Sequence, residues 1–133
     1  MSNSSEKIAF HTLGCKLNFS ETSTIARDFS DKGFSIVKDF ENADIHIINT
    51  CSVTAKADKK AKKIISRIIR TSQNPYITVI GCYAQLKPHE IAGIDGVNLV
   101  VGDKEKLNVA NYILKNYNRI DNKIIHSPIY NSL

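Results

Sequence analysis

Three cysteines, each standing just after an apolar run, constrain this chain more than any other feature. They lie in Thr12-Leu13-Gly14-Cys15-Lys16-Leu17-Asn18, in Asn49-Thr50-Cys51-Ser52-Val53-Thr54 and in Ile80-Gly81-Cys82-Tyr83. The preceding runs are apolar and β-branched, and Ile45, Ile47 and Ile48 before Cys51 suit a strand buried on both faces. The segments that follow carry helix-start residues. Each cysteine is therefore expected in a loop leaving the carboxyl end of a strand, and in an open parallel sheet those loops share the edge at which ligands bind. Cys15 and Cys51 are 36 residues apart, and Cys51 and Cys82 are 31 apart. Each interval is one or two strand–helix units. This is not the local spacing of a zinc finger. The case for one shared site over three separately buried thiols rests on the equivalent positions of the three cysteines.

The remaining pattern alternates strand and helix. Ile8 to Thr12 reads as the first strand. A helix follows, with Asn18 or Ser20 as its cap, Asn18 and Glu21 spaced as in a capping box, and Ile25, Ala26 and Phe29 facing inward. Gly33 supplies a left-handed stop. Phe34 to Val37 and Ala43 to Ile48 are the next strands. After the cap Thr54, a stripe of Ala57, Ala61, Ile64, Ile65, Ile68 and Ile69 marks the clearest helix. Tyr76 to Ile80 and Val97 to Val101 complete the strands, Pro88 opens a short helical turn, and a last helix begins at Gly102-Asp103. Its inward residues are expected to be Leu107, Ala110, Ile113, Leu114 and Tyr117. The expected fold is α/β: a three-layer open sheet of about five mostly parallel strands with flanking helices and right-handed crossovers, its three cysteine loops at the C-terminal edge. Residues 1–118 form the expected domain, and 119–133 have no clear period and read as a linker or tail.

Composition narrows the chemistry. A hydrophobic share of 42% with 23% charged residues is that of a folded globular chain. No stretch is long enough to span a membrane, and the polar amino end lacks a signal-peptide core, so a cytoplasmic location is expected. In a reducing compartment three cysteines point to metal ligation or nucleophilic chemistry rather than disulfides. Soft thiolates select zinc or iron–sulfur clusters, and three protein ligands leave one position open. Gly14 and Gly81 let the backbone approach a bulky group, and Asn18 and Asn49 are candidate hydrogen-bond donors around it. His11, His46, His89 and His126 are not assigned as ligands. The net charge is +5, and Lys56, Lys60, Lys63, Arg67 and Arg70 form a second stripe on the clearest helix, about 100° around from the apolar one. They are the RNA-binding candidates.

The residues alone leave two other readings. One is a doubly wound module for a nucleotide, flavin or cobalamin. Neither a Gly-x-Gly-x-x-Gly turn nor a phosphate loop is present, and Asp44-x-His46 has Asn49 where the cobalamin motif requires glycine. The other is a three-cysteine zinc hydrolase, for which Glu21 is the only carboxylate near a cysteine loop.

At the three cysteine stretches, with Glu21, Ala57 and the run Gly81-Cys82-Tyr83-Ala84-Gln85, the chain resembles the amino-terminal domain of the radical S-adenosylmethionine methylthiotransferases. The resemblance covers roughly Lys7 to Asn116. It implies that Cys15, Cys51 and Cys82 hold an auxiliary 4Fe-4S cluster, and that the full-length protein carries a second 4Fe-4S cluster and S-adenosylmethionine. The wording of the motifs is most similar to the branch that adds a methylthio group at C2 of threonylcarbamoyladenosine in tRNA, beside the anticodon. The isopentenyladenosine and ribosomal-protein branches are the alternatives. No Cys-x-x-x-Cys-x-x-Cys run occurs in this chain. The radical-SAM domain and the RNA-binding domain of the family are therefore expected as further parts of the same chain, and the fragment alone is expected to be inactive.

Overall fold

The apolar runs become the strands of a single sheet. The structure is a computed structural model that describes residues 6–13, 16–38, 43–50, 55–116 and 123–125. Strands β1 (Lys7–Thr12), β2 (Ser35–Val37), β3 (Ile45–Thr50), β4 (Tyr76–Gly81), β5 (Val97–Gly102) and β6 (Lys123–Ile125) form one sheet in the order β2-β1-β3-β4-β5-β6. Every pairing is parallel. All residues of β3 and β4 are buried, as continuous apolar strands covered on both faces must be.

Among the described residues five helices cover the sheet: α1 (Lys16–Asp31), α2 (Ala55–Thr71), α3 (Cys82–Leu86), α4 (Pro88–Ala92) and α5 (Val109–Asn116). On one face Ile25 and Phe29 of α1 and Val109, Ala110 and Ile113 of α5 pack against Ile8, Ile45, Ile47, Ile80, Leu99 and Val101. On the other, Ala61, Ile65 and Ile68 of α2, with Tyr83, Ala84 and Ile91 from α3 and α4, cover Ile48, Ile77, Val79, Val97 and Val100. The result is the expected three-layer α/β sandwich. Among the described residues no helix is long and apolar enough to cross a membrane.

Four local features differ from the sequence expectation. The sheet has a sixth strand: Lys123–Ile125, inside the stretch read as a tail, extends the sheet beyond β5. Helix α1 starts at Lys16, so Asn18 and Ser20 fall within the helix rather than at its cap, and Asn18's side chain lies outside the described residues. Helix α3 starts at Cys82 itself, without an intervening loop. Before α5 the chain makes a 3-10 turn, Lys106–Asn108. The turn winds three residues per turn rather than 3.6 and shifts the phase of the helix. Val109, Ala110 and Ile113 therefore face the core, whereas Leu107 and Leu114 are exposed. Tyr117 and the cap Thr54 lie outside the described residues.

One irregularity keeps β5 in step with its neighbours. Ile77 pairs with Val97 but Thr78 pairs with Leu99, which makes Asn98 an extra residue. Its Oδ1 accepts the Ile77 amide at 2.9 Å, so the bulge leaves that donor satisfied. The slip also lets Val97 and Val100 both join the α2-side core.

The two ends of the α2 stripe differ in what they stabilise. Ile65 is 1% exposed and Ile69 is 43% exposed. Ile65→Ala is expected to lower unfolding stability by about 3 kcal/mol, as for other buried isoleucine truncations, and Ile69→Ala by no more than about 1 kcal/mol. Urea denaturation of both variants beside the parent checks this ranking.

Candidate functional site

β1, β3 and β4 are adjacent in the sheet, and each ends by leading into one cysteine stretch. Cys15 and Cys51 lie outside the described residues, as does Gly14. Cys82 is described, and it is a half-buried thiol at the first position of α3. Among the described residues no three His, Cys, Asp or Glu side chains gather as a ligand set. What the structure fixes is the scaffold from which the three stretches depart.

The direction of winding reverses at this scaffold. From β1 the chain goes outward to β2, then returns to the other side of β1 for β3 and proceeds through β4 to β5. The switch point lies between β1 and β3, where open parallel sheets leave a crevice outside their carboxyl ends. The ends of β1 and β3 flank it, and the Cys82 turn follows the end of the adjacent β4.

Threonine hydroxyls hold these strand ends in register. Thr50, the residue before Cys51, pairs with Gly81, the residue before Cys82. The Thr50 hydroxyl donates to the Ile80 carbonyl at 2.7 Å and accepts the Tyr83 amide at 3.2 Å, so it straddles the Gly81-Cys82 step. Gly81 has φ of 105°, and a Cβ there would lie 2.3 Å from the Thr50 carbonyl oxygen. Only glycine lets the two strand ends come this close. On the other side of β3, the Leu13 amide donates to the Asn49 carbonyl at 2.9 Å and continues the β1–β3 pairing past Thr12. Thr22 of α1 joins the same two strands: its hydroxyl shares a hydrogen bond with Thr12 Oγ1 at 2.8 Å and accepts from Asn49 Nδ2 at 3.1 Å. Asn49 is fully buried, and its amide nitrogen serves the strand–helix junction.

A buried lysine closes the edge beyond β4. Lys106 is 5% exposed, and its Nζ lies 2.5 Å from Glu21 Oε1 and 2.7 Å from Asp103 Oδ1. Burial alone would lower the Lys106 pKa; the hydrogen bonds and charges of Asp103 and Glu21 outweigh it and hold the ammonium above its ordinary value. Glu21 is thus an ion-pair partner that ties α1 to the end of β5. The sequence pattern places it in a capping box and does not single out Thr12, Thr22, Thr50 or Lys106. The available signal was polar residues at the ends of otherwise apolar runs.

On the α2 side of the sheet, His11 and His46 stack with ring centroids 5.4 Å apart and 13° between planes. His11 Nε2 is 3.1 Å from His46 Nδ1, and His46 Nε2 is 3.4 Å from Ser72 Oγ. Burial, then His46, then Arg67 push His11 down to about 4. Burial also lowers His46, more than its backbone hydrogen bond at Ala43 and the charge of Asp44 raise it. Both imidazoles are therefore neutral at pH 7 and, as expected, sit within strands.

This pair predicts an acid-side loss of stability. Below the ordinary histidine value of 6.5 the unfolded chain takes up protons that the folded His11 refuses until about pH 4. The stability is fully present above about pH 6.5 and falls as the pH drops through that window. Urea midpoints at pH 7 and pH 5 should show the drop, and His11→Gln should show a smaller one. Equal pH slopes for parent and variant would contradict the assignment.

Comparison of the sequence with known proteins finds relatives. Threonylcarbamoyladenosine tRNA methylthiotransferase MtaB of Bacillus subtilis (strain 168) is 47% identical over 107 residues, which is 80% of this chain and 24% of that protein. The protein of the same name from Aquifex aeolicus (strain VF5) is 33% identical over 124 residues, 93% of this chain and 30% of its own length. The tRNA-2-methylthio-N(6)-dimethylallyladenosine synthase of Methylacidiphilum infernorum (isolate V4) is 36% identical over 115 residues, 81% of this chain and 25% of that protein. The chain thus spans 24 to 30% of the length of these relatives. Residues 7–102, which run from the start of β1 to the end of β5, match the family described as uncharacterized protein family UPF0004, and the chain belongs to that family.

Proposed function

We propose that this chain is the cluster-carrying amino-terminal part of a tRNA methylthiotransferase acting on threonylcarbamoyladenosine, with Cys15, Cys51 and Cys82 as the ligands of an auxiliary 4Fe-4S cluster. The observation that carries the reading is the Thr50 clamp, which holds the residues preceding Cys51 and Cys82 side by side at a sheet edge that also receives the end of β1. Three thiolates are a donor set suited to iron and sulfide, and the glycine at position 81 lets the end of β4 close against the Thr50 carbonyl, so that Cys82 follows directly from the clamp. Bound there, the cluster supplies one iron without a protein ligand, open to an exogenous sulfur, because full protein ligation takes four cysteines.

The chain's own residues position the site. Thr22 and Asn49 join the strand ends that lead into the Cys15 and Cys51 stretches, Thr50, the residue before Cys51, is joined to the Gly81-Cys82 step, and Glu21 with Lys106 fixes α1 against the end of β5. Gly14, Asn18, Asn49 and Gly81 remain the candidates for shaping the space around the cluster. The unit would take in the sheet through β6 (Lys123–Ile125), beyond the boundary at 118 read from the sequence, and the residues after β6 would lead toward a radical-SAM part. That part would supply the second cluster and S-adenosylmethionine, so residues 1–133 alone would not cleave S-adenosylmethionine. The substrate of the whole protein would be tRNA. The threonylcarbamoyladenosine branch is preferred over the dimethylallyladenosine branch because the Bacillus subtilis relative of the first name reaches 47% identity, against 36% for the Methylacidiphilum infernorum relative of the second.

Anaerobic reconstitution with iron and sulfide tests the ligand assignment. The parent is expected to hold about four irons per chain. Cys51→Ala is expected to lose most of them while keeping its circular dichroism. Failure to take up iron, or preferential tight binding of zinc, would overturn the proposal.

A further inference from the structure

The outer face of α2 carries a row of exposed cations. Lys59, Lys62, Lys63, Ser66, Arg67 and Arg70 line an open groove of about 500 Å³. A second groove of about 370 Å³ is lined by His11, Thr12, Lys63, Ile64 and Arg67. Lys63 and Arg67 line both, so the cationic surface continues from the helix to the carboxyl end of β1, the strand that leads into the Cys15 stretch. Of the five residues in the stripe read from the sequence, Lys63, Arg67 and Arg70 line these grooves; Lys56 and Lys60 are exposed but line neither.

We propose that this double groove is a track for the phosphate backbone of an RNA strand, with Lys63 and Arg67 at the point where the strand turns from α2 toward the cysteine edge. The inference rests on the reading that the substrate is an RNA and adds where this chain would hold it. Lys59, Lys63, Arg67 and Arg70 recur every three or four residues, so they form one row along the helix. The row covers about 17 Å at 1.5 Å per residue, the length of about five stacked nucleotides at 3.4 Å each. The arginines present planar forks suited to phosphate oxygens, and Ser66 adds a hydroxyl donor. Glu90, 4.0 Å from Lys62, tempers one side of the row, leaving Lys63, Arg67 and Arg70 as the core of the track. At the far end, neutral His11 and Thr12 line the second groove without adding charge. A row of regularly spaced, exposed cations fits a repeating phosphate chain better than the mixed surface of a protein partner.

Fluorescence anisotropy of this chain with a labelled RNA stem-loop, measured across a salt series, tests the track. The double variant Lys63→Glu/Arg67→Glu is compared with Lys104→Glu/Lys115→Glu, which changes exposed lysines away from α2. Each pair of reversals lowers the net charge by four, from +5 to +1. The groove variant should bind at least about tenfold more weakly, with a log–log salt slope reduced by about 1.4 for two lost single-strand phosphate contacts. The control should stay within about threefold of the parent. Lys63→Gln/Arg67→Gln, which avoids introducing carboxylates, should weaken binding in the same direction. Equal losses in the groove and control variants, or no loss in the groove variant, would overturn the proposal; in the second case an acidic protein segment becomes the better occupant. Iron content measured on the same reconstituted samples separates the two readings. Iron uptake with a failed RNA pattern removes the track alone, whereas the predicted RNA pattern without iron removes the cluster alone.

Discussion

The placement of β3 between β1 and β4 is the constraint on which the rest of the structure depends. A parallel strand paired on both sides and covered on both faces has little freedom to slip, because a one-residue shift would turn Ile45, Ile47 and Ile48 to the wrong layers. That fixed register delivers Asn49 and Thr50 to the carboxyl edge in known relation to Thr12 and Gly81. Both then use their side chains across the sheet edge: Asn49 reaches α1 and Thr50 reaches the start of α3. Core packing and site geometry are therefore parts of one arrangement, with apolar residues setting the register and two polar residues at the strand's end converting it into a junction.

Much of this was legible from residue pattern. The isoleucine runs announce strands buried on both faces, the stripe through Ala61, Ile65 and Ile68 announces α2, and the glycine before Cys82 marks a close approach that the structure locates against Thr50. Features that depend on a distant partner were not legible. Glu21 carries ordinary helix-start character, and only the fold brings Lys106 to it from 85 positions away. The Asn98 bulge replaces a backbone acceptor with a side chain, which leaves no mark in the alternation of apolar residues. β6 is three residues long and takes its structure from the edge of β5 rather than from any period of its own. The apolar period locates the last helix but not its phase, since a 3-10 turn rotates everything after it.

The charges are divided between two kinds of environment. At the sheet edge, Lys106 is buried and held by two carboxylates, a structural cation whose charge is neutralised internally. On α2, the cations stand exposed in a row and face open grooves. His11 and His46 lie between these zones and stay neutral because burial disfavours their charged forms. The arrangement keeps positive charge on the outer surface, where a polyanion can meet it, and ends at the strand that leads to the first cysteine.

The central claim is that three cysteines distant in sequence converge at one edge, and trivalent arsenic tests it without any iron chemistry. Arsenite binds three thiols together only when they can reach a single atom. The account predicts that one arsenite per reduced chain protects all three cysteines from subsequent thiol titration, and that Cys51→Ala breaks this stoichiometry. Three thiols that react independently in the presence of arsenite would contradict it.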